Sequence, residues 1–245
     1  TERVVAEGGG RTVATYLAWR YPHSSQAQWE ERIRLGSVRL DGDRVESWRI
    51  VRPGQLLVWV RPAWEEPAAP LSFALLHRDP HLLAVLKPAG LPTLPGGGYL
   101  EHTLLHQVRR HFPEAAPVHR IGRGTTGLVL CARSREAAAA LGAAWTDGRI
   151  RKFYRALVCG SPAADRYSVE APIGCVAHRP GFPVHASDPA GKPALSHVQV
   201  LERRGESSLV EVEIVTGRAH QVRIHLAVSG HPLVGDPFYG SGGRP

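Results

Sequence analysis

Residues 119–127, His-Arg-Ile-Gly-Arg-Gly-Thr-Thr-Gly, lead without a break into Leu128-Val129-Leu130. A dense polar run feeding a short apolar segment reads as a loop at the start of a buried strand. Such a loop sets charged and hydroxyl side chains on a rigid element, a common way to build a site.

Upstream, Val13, Tyr16 and Leu17 have helical spacing, stopped by Pro22. Ser25 and Gln28 fit a capping box for a second helix through Arg34, ended by Gly36. Alternation around Asp41-Gly42 predicts a hairpin, and residues 50–60 add a strand after the Pro53-Gly54 turn. The stretch RPAWEEPAAPL has three prolines and no hydrophobic period, so it reads as a connection. The expected organisation is a small module over 1–62, a linker over 63–71 and a large domain over 72–245.

In the large domain, residues 83–96 predict a buried strand running into a Pro/Gly-rich loop. Residues 101–112 predict a helix with Leu104, Leu105, Val108 and Phe112 facing inward. His102 and His106 stand four apart, a spacing compatible with a metal, but the sequence places no further ligand beside them. An alanine-rich helix capped by Ser134 follows, then a strand over 151–160. The 177–193 stretch, rich in Pro, Gly and His, reads as an irregular loop.

Composition narrows the partner. A net charge of +8 and a pI of about 9.9 favour a polyanion. Of 30 basic residues only Lys87, Lys152 and Lys192 are lysines. Arginine suits bidentate phosphate contacts and base stacking, although an arginine-rich genome would leave the same excess. No apolar run of ~18 residues exists and the N-terminus lacks an apolar signal core, so a cytoplasmic protein without membrane contact is expected. Cys131, Cys159 and Cys175 have no C-x-x-C spacing; buried free thiols are expected, not a zinc site or disulfide framework.

These segments together resemble the RluA-type pseudouridine synthases. The run 119–128 is similar to their H-R-L-D-x-x-T-S-G-L, with Ile121 for Leu, Thr126 for Ser and Gly122 where the family carries its catalytic aspartate. Residues 87–91 resemble K-P-x-G-L. Lys152, Tyr154, Ala156, Val158 and Gly160 follow K-x-Y-x-A-x-V-x-G, and 172–174 match P-I-G. The stretch VTGRAHQVRIHLAVSGHPLVGDPFYG (215–240) follows T-G-R-x-H-Q-[IL]-R-x-H-L…G-H-P-[IL]-x-G-D-x-x-Y-G, with Ala219 at a usual threonine. The stretch RIRLGSVRLDGDRV resembles a small RNA-binding module named after a ribosomal small-subunit protein.

The resemblance implies an α+β fold: a large mixed, mostly antiparallel sheet domain preceded by a small α+β RNA-binding module. It implies isomerisation of uridine to pseudouridine in ribosomal or transfer RNA by a monomer, without metal or cofactor. The N-glycosidic bond breaks, the base rotates, and carbon-5 rejoins the sugar. The uridine must be flipped out to be reached. Tyr154 would stack on the base and handle a proton at carbon-5, and Arg218 would pair with the carboxylate at position 122. Arg120 would fill the gap left by the base. His119, Arg123, Lys152, His220 and Arg223 would contact RNA, the last two from a turn-to-strand segment. Arg32, Arg34 and Arg39, with Arg44, would contact RNA from the small module.

Gly122 has no side chain to act as nucleophile, and losing a nucleophile typically removes about four to six orders of magnitude in rate. The nearest carboxylates in sequence are Glu114 and Glu136. Arg218 also loses its partner, and an unpaired buried arginine is costly, so a water, anion, RNA phosphate or nearby acid is expected beside it. Three readings stay open: an isomerase with a relocated nucleophile, an RNA binder (or nucleophile-less variant) without turnover, and a small-molecule enzyme using the histidines.

Overall fold

Glu2–Arg3 form a first short strand, β1, and the chain then enters two capped helices. Thr12 Oγ1 accepts from the Thr15 N–H at the start of α1 (Val13–Arg20). Ser25 and Gln28 exchange side-chain and backbone hydrogen bonds in a complete capping box for α2 (Gln26–Arg34). Each cap contributes about 1 kcal/mol. Asp41 (φ 53°) and Gly42 (φ 97°) both adopt left-handed backbone, the requirement of the tight turn that joins β2 (Val38–Leu40) to β3 (Asp43–Arg44). With β4 (Leu56–Trp59) these strands pair antiparallel in the order β1-β4-β2-β3. Tyr16, Trp29, Val38, Val51 and Leu57 fill the core.

This computed structural model describes residues 1–61, 64–179, 182–240 and 242. The chain forms two compact units, Thr1–Glu65 and Glu66–Pro245. The second unit therefore begins before residue 72. The Glu66 carboxylate accepts from the Glu101 and His102 backbone N–H groups, and Ala69 packs on a core cluster. Of the expected linker 63–71, residues 66–71 belong to the second unit; residues 62 and 63 lie outside the described residues.

The second unit opens with β5 (Ala74–Arg78) and β6 (Leu82–Lys87), continues through α3 (Leu104–His111) and β7 (Ala116–Pro117), and reaches β8 (Gly127–Ala132). The order is β5-β6-β8-β7, antiparallel throughout, with Lys87 opposite Gly127. Leu83, Val85, Val129 and Cys131 alternate inward and meet Leu104 and Val108 of α3. Next come α4 (Arg135–Thr146), β9 (Phe153–Cys159) and β10 (Arg166–Glu170). Of the expected irregular loop over 177–193, residues 177–179 and 182–187 are strand instead: β11 (Ile173–Arg179) pairs antiparallel with β12 (Phe182–Ser187). Then β13 (Leu195–Arg204) and β14 (Ser207–Ile214) complete a second sheet in the order β10-β13-β14-β9. Along β14, Val210, Val212 and Ile214 point inward and Glu211 and Glu213 outward. The last helix is α5 (Gln221–Val228). The α+β class with antiparallel pairing holds, and the large sheet resolves into two four-stranded sheets and a hairpin.

Cys131 is buried, but Cys159 and Cys175 are exposed, against the expectation of buried thiols; both lie on alternating strands at solvent-facing positions. Among the described residues no helix is long and apolar enough to cross a membrane.

Candidate functional site

The polar run is a loop between β7 and β8, held from beneath by residues 87–99. Thr93 Oγ1 donates to the Ile121 carbonyl (2.9 Å) and accepts from the Ile121 N–H (3.3 Å). The Gly90 N–H donates to the Arg123 carbonyl, and Thr126 Oγ1 donates to the Lys87 carbonyl. Arg123 Nη1 reaches the Tyr99 hydroxyl at 2.6 Å. Lys87 is fully buried at the centre of this arrangement. Its ammonium donates to the carbonyls of Pro88 (2.7 Å), Leu91 (2.7 Å) and Arg123 (3.2 Å). Burial pulls its pKa down to about 8.

Gly122 sits exposed in this loop, outside the left-handed region. A Cβ built there lies 3.3 Å from Thr125 Oγ1. The backbone at 122 therefore accepts a side chain after a small shift of one hydroxyl.

His119 faces inward. Its Nε2 accepts from the Leu130 N–H (3.0 Å), and its ring lies over Trp145 of α4 with centroids 4.7 Å apart. Burial pushes its pKa down to about 4, so at neutral pH it carries no charge for a phosphate. Lys152 Nζ lies 5.6 Å from the same indole and reaches the Val215 carbonyl at 3.5 Å. Two residues on, Tyr154 is half-buried in β9 opposite Val212, and burial raises its pKa.

Arg218 follows β14. Its Nε donates to the Pro193 carbonyl (3.0 Å), and its backbone N–H donates to Gln221 Oε1 (2.9 Å). The residue is half-buried, and among the described residues no carboxylate lies within ion-pair distance of it. The expected acid is not there; a backbone carbonyl takes one N–H and solvent reaches the remainder.

His220, Gln221 and Arg223 lie at the N-cap and first turn of α5, not in a turn-to-strand segment. Buried Ile224, Leu226 and Ala227 give the helix its inward face. His220 takes a left-handed backbone (φ 56°). Tyr239 Oη donates to the His185 carbonyl, so the His220 Nδ1–H, 2.7 Å away, donates to Tyr239 Oη. Desolvation and the charges of Arg223, His185 and Arg120 lower the His220 pKa. Arg223 holds Asp236 in a bidentate pair through Nε and Nη2, 2.7 and 2.6 Å. Desolvation alone would raise the Asp236 pKa; Arg223 and the Phe238 and Tyr239 N–H groups hold it at about 2.

Three contacts run between these segments: the His119 ring lies over Trp145, Lys152 Nζ lies beside the same indole, and Lys152 Nζ reaches the Val215 carbonyl. Arg32, Arg34 and Arg39 lie in the first unit. Arg32 stacks on Trp29 and Trp59 and donates to Ser24, and Arg34 pairs with Glu31. Arg39 is exposed and donates to the Gly42 carbonyl. Sequence reasoning missed Tyr99 and Trp145 beside the candidate site, and it saw Lys87 only as part of the K-P-x-G-L motif. One signal was present for Lys87: a lone lysine closing the apolar strand Leu82–Leu86.

The described geometry is thus a half-buried tyrosine on β9, a half-buried arginine after β14 and a loop of exposed arginines held by residues 87–99, all on antiparallel sheets. The family model for RNA pseudouridylate synthase matches residues 81–228. An uncharacterized RNA pseudouridine synthase of Synechocystis is 40% identical over 94% of this chain and 80% of its own. RNA pseudouridine synthase 5 of Arabidopsis thaliana is 39% identical over 96% of this chain and 73% of its own. Ribosomal large subunit pseudouridine synthase D of Pseudomonas aeruginosa is 34% identical over 96% and 75%. The solved structure of human RNA pseudouridylate synthase domain containing 1 aligns with a TM-score of 0.61 at 27% identity, covering 72% of this chain and 73% of its own. The chain belongs to the RNA pseudouridylate synthase family.

Proposed function

We propose that this protein is an isomerase that converts uridine to pseudouridine in structured RNA, taking the uridine flipped out of its helix. The observation that carries the reading is the run of contacts from His119 through Trp145 and Lys152 to the Val215 carbonyl, which joins the Gly122 loop to residues two before Tyr154 and three before Arg218. Tyr154 offers a flat apolar face with a polar tip for the base. Arg218, with no acid partner among the described residues, orients the ribose-phosphate. Exposed Arg120 stands in for the extruded base, and Arg123 supports the phosphate path. In the first unit, exposed Arg34, which also pairs with Glu31, and exposed Arg39 are further candidate phosphate contacts. Ribosomal RNA is the first substrate to test, because a relative is named for it; transfer RNA is the second.

A second reading rests on Gly122. With no carboxylate at that position, the protein binds the same RNA without turnover. The two readings separate by chemical mapping of pseudouridine after incubating ribosomal or transfer RNA transcripts with wild type and Gly122→Asp. Product from wild type supports the isomerase. Product from Gly122→Asp alone supports the binder. If neither protein retains RNA or forms product, both readings fail.

A further inference from the structure

Behind Arg218 runs a buried chain of polar groups that the chemistry above does not use. Gln221, Ser196 and His225 are 2%, 0% and 0% exposed. Gln221 Oε1 accepts from Thr216 Oγ1 (2.8 Å) and from the Arg218 N–H (2.9 Å). Gln221 Nε2 donates to the Leu195 carbonyl (2.9 Å) and to Ser196 Oγ (3.0 Å). Ser196 Oγ lies 2.9 Å from His225 Nδ1, and His225 Nε2 lies 3.0 Å from the Ala171 carbonyl.

The direction of every bond follows from the two ends. A carbonyl only accepts, so His225 carries its proton on Nε2 and offers a lone pair at Nδ1. Ser196 must then donate to Nδ1, which leaves its oxygen to accept from Gln221. The Arg218 N–H only donates, so the other end of the Gln221 amide must be its oxygen. Flipping that amide would set N–H against N–H at Arg218 and oxygen against oxygen at Leu195. One arrangement satisfies all members, and it uses both donors and both acceptor sites of the amide.

The same chain fixes what the Arg218 side chain touches. Its Nε partner, Pro193, lies two residues before Leu195, the strand position held by Gln221. A buried polar network gives little net stability compared with an apolar core, but a fully satisfied one specifies a single geometry. We infer that Gln221, oriented by Ser196 and His225, is the positioning residue for Arg218, setting both its backbone and the carbonyl its guanidinium meets. The inference rests on Arg218 acting at the uridine site as proposed above.

The test uses the full chain with Ser196→Ala, Ser196→Thr and Gln221→Met, each made in wild type and in Gly122→Asp. Backbone exchange at Arg218 is followed without RNA. Pseudouridine formation is followed in whichever background turns over. For Ser196→Ala and Gln221→Met the Arg218 N–H is expected to exchange about tenfold faster or more. In the same two variants kcat falls about tenfold or more while KM stays within about threefold, and Ser196→Thr recovers most of the loss. Unchanged exchange and kcat in Ser196→Ala, or a Ser196→Thr variant as impaired as Ser196→Ala, overturns the inference. If neither background forms product, the isomerase reading has failed, and exchange at Arg218 alone decides the positioning role.

Discussion

Arg223 and Asp236 grip each other with two short hydrogen bonds, 2.7 and 2.6 Å, and tie α5 to the loop that carries Tyr239. The Asp236 side chain is 3% exposed and that of Arg223 29%. Removing one member of a buried pair leaves the other charge uncompensated. Allowing for the partial exposure of the arginine, Asp236→Asn is expected to cost about 2–3 kcal/mol at pH 7 in denaturant unfolding. Asp236 is depressed from 3.8 to about 2. Its contribution is therefore present above pH 3.8 and disappears as pH falls through about 2. The gap between wild type and Asp236→Asn should close over that window. A gap that persists at pH 2 would show that the effect comes from packing.

Lys87 gives the opposite limb. Its pKa falls from 10.5 to about 8 on burial, so between those values the unfolded chain binds more protons than the folded one. Stability contributed by this site then rises as pH climbs from about 8 to 10.5. Tyrosines and cysteines titrate nearby, so the signal is the difference between wild type and Lys87→Met, measured by urea unfolding across that range. Three carbonyl acceptors favour the ammonium. If they outweigh desolvation, the difference will be flat with pH and the assignment of a lowered pKa is wrong.

Local signals made the helices legible. The Ser25–Gln28 box and the Asp41-Gly42 turn carry their whole mechanism within a few residues. Family motifs marked where the site's segments lie. What stayed hidden depends on partners distant in sequence. The stretch 177–193 is rich in Pro, Gly and His, yet Ile173–Arg179 and Phe182–Ser187 pair strand to strand. Val222, Ile224 and Val228 favour strand by propensity, but burial of Ile224, Leu226 and Ala227 against the sheet makes that segment a helix. Nothing local to Arg223 shows that Asp236, thirteen residues on, pairs with it. Likewise His119 looks basic in sequence, but burial in the fold, with Trp145 over its ring, pushes its pKa down to about 4.

That cover is testable. Trp145→Ala opens the face of the His119 ring and removes the indole beside Lys152. The His119 pKa should climb from about 4 toward the ordinary 6.5 because desolvation is its cause. The lost aromatic pair should cost about 0.5–1.5 kcal/mol beyond the burial of the indole. An NMR titration of the His119 ring proton in wild type and variant reads the first directly. An unmoved pKa would mean that the loop's own packing, and not Trp145, dries the ring.

Position 122 permits the sharpest check on whether the loop and the Arg218 turn meet. Gly122 is exposed and outside the left-handed region, and a new Cβ would press only on Thr125 Oγ1 at 3.3 Å. Gly122→Asp should fold with stability within about 0.5 kcal/mol of wild type, since surface changes of this kind are small and replacing glycine restricts the unfolded chain. The carboxylate introduced by Gly122→Asp then serves as a probe of its surroundings. An opposite charge within ~4–6 Å lowers a carboxyl pKa by about 1–3 units. If Arg120 and Arg218 both face this position, the titration midpoint of that carboxyl falls well below the ordinary aspartate range, and Arg218→Gln in the same background restores part of the shift. A midpoint at the ordinary value would place the guanidinium of Arg218 away from residue 122 and leave the loop and the turn as two unconnected basic surfaces.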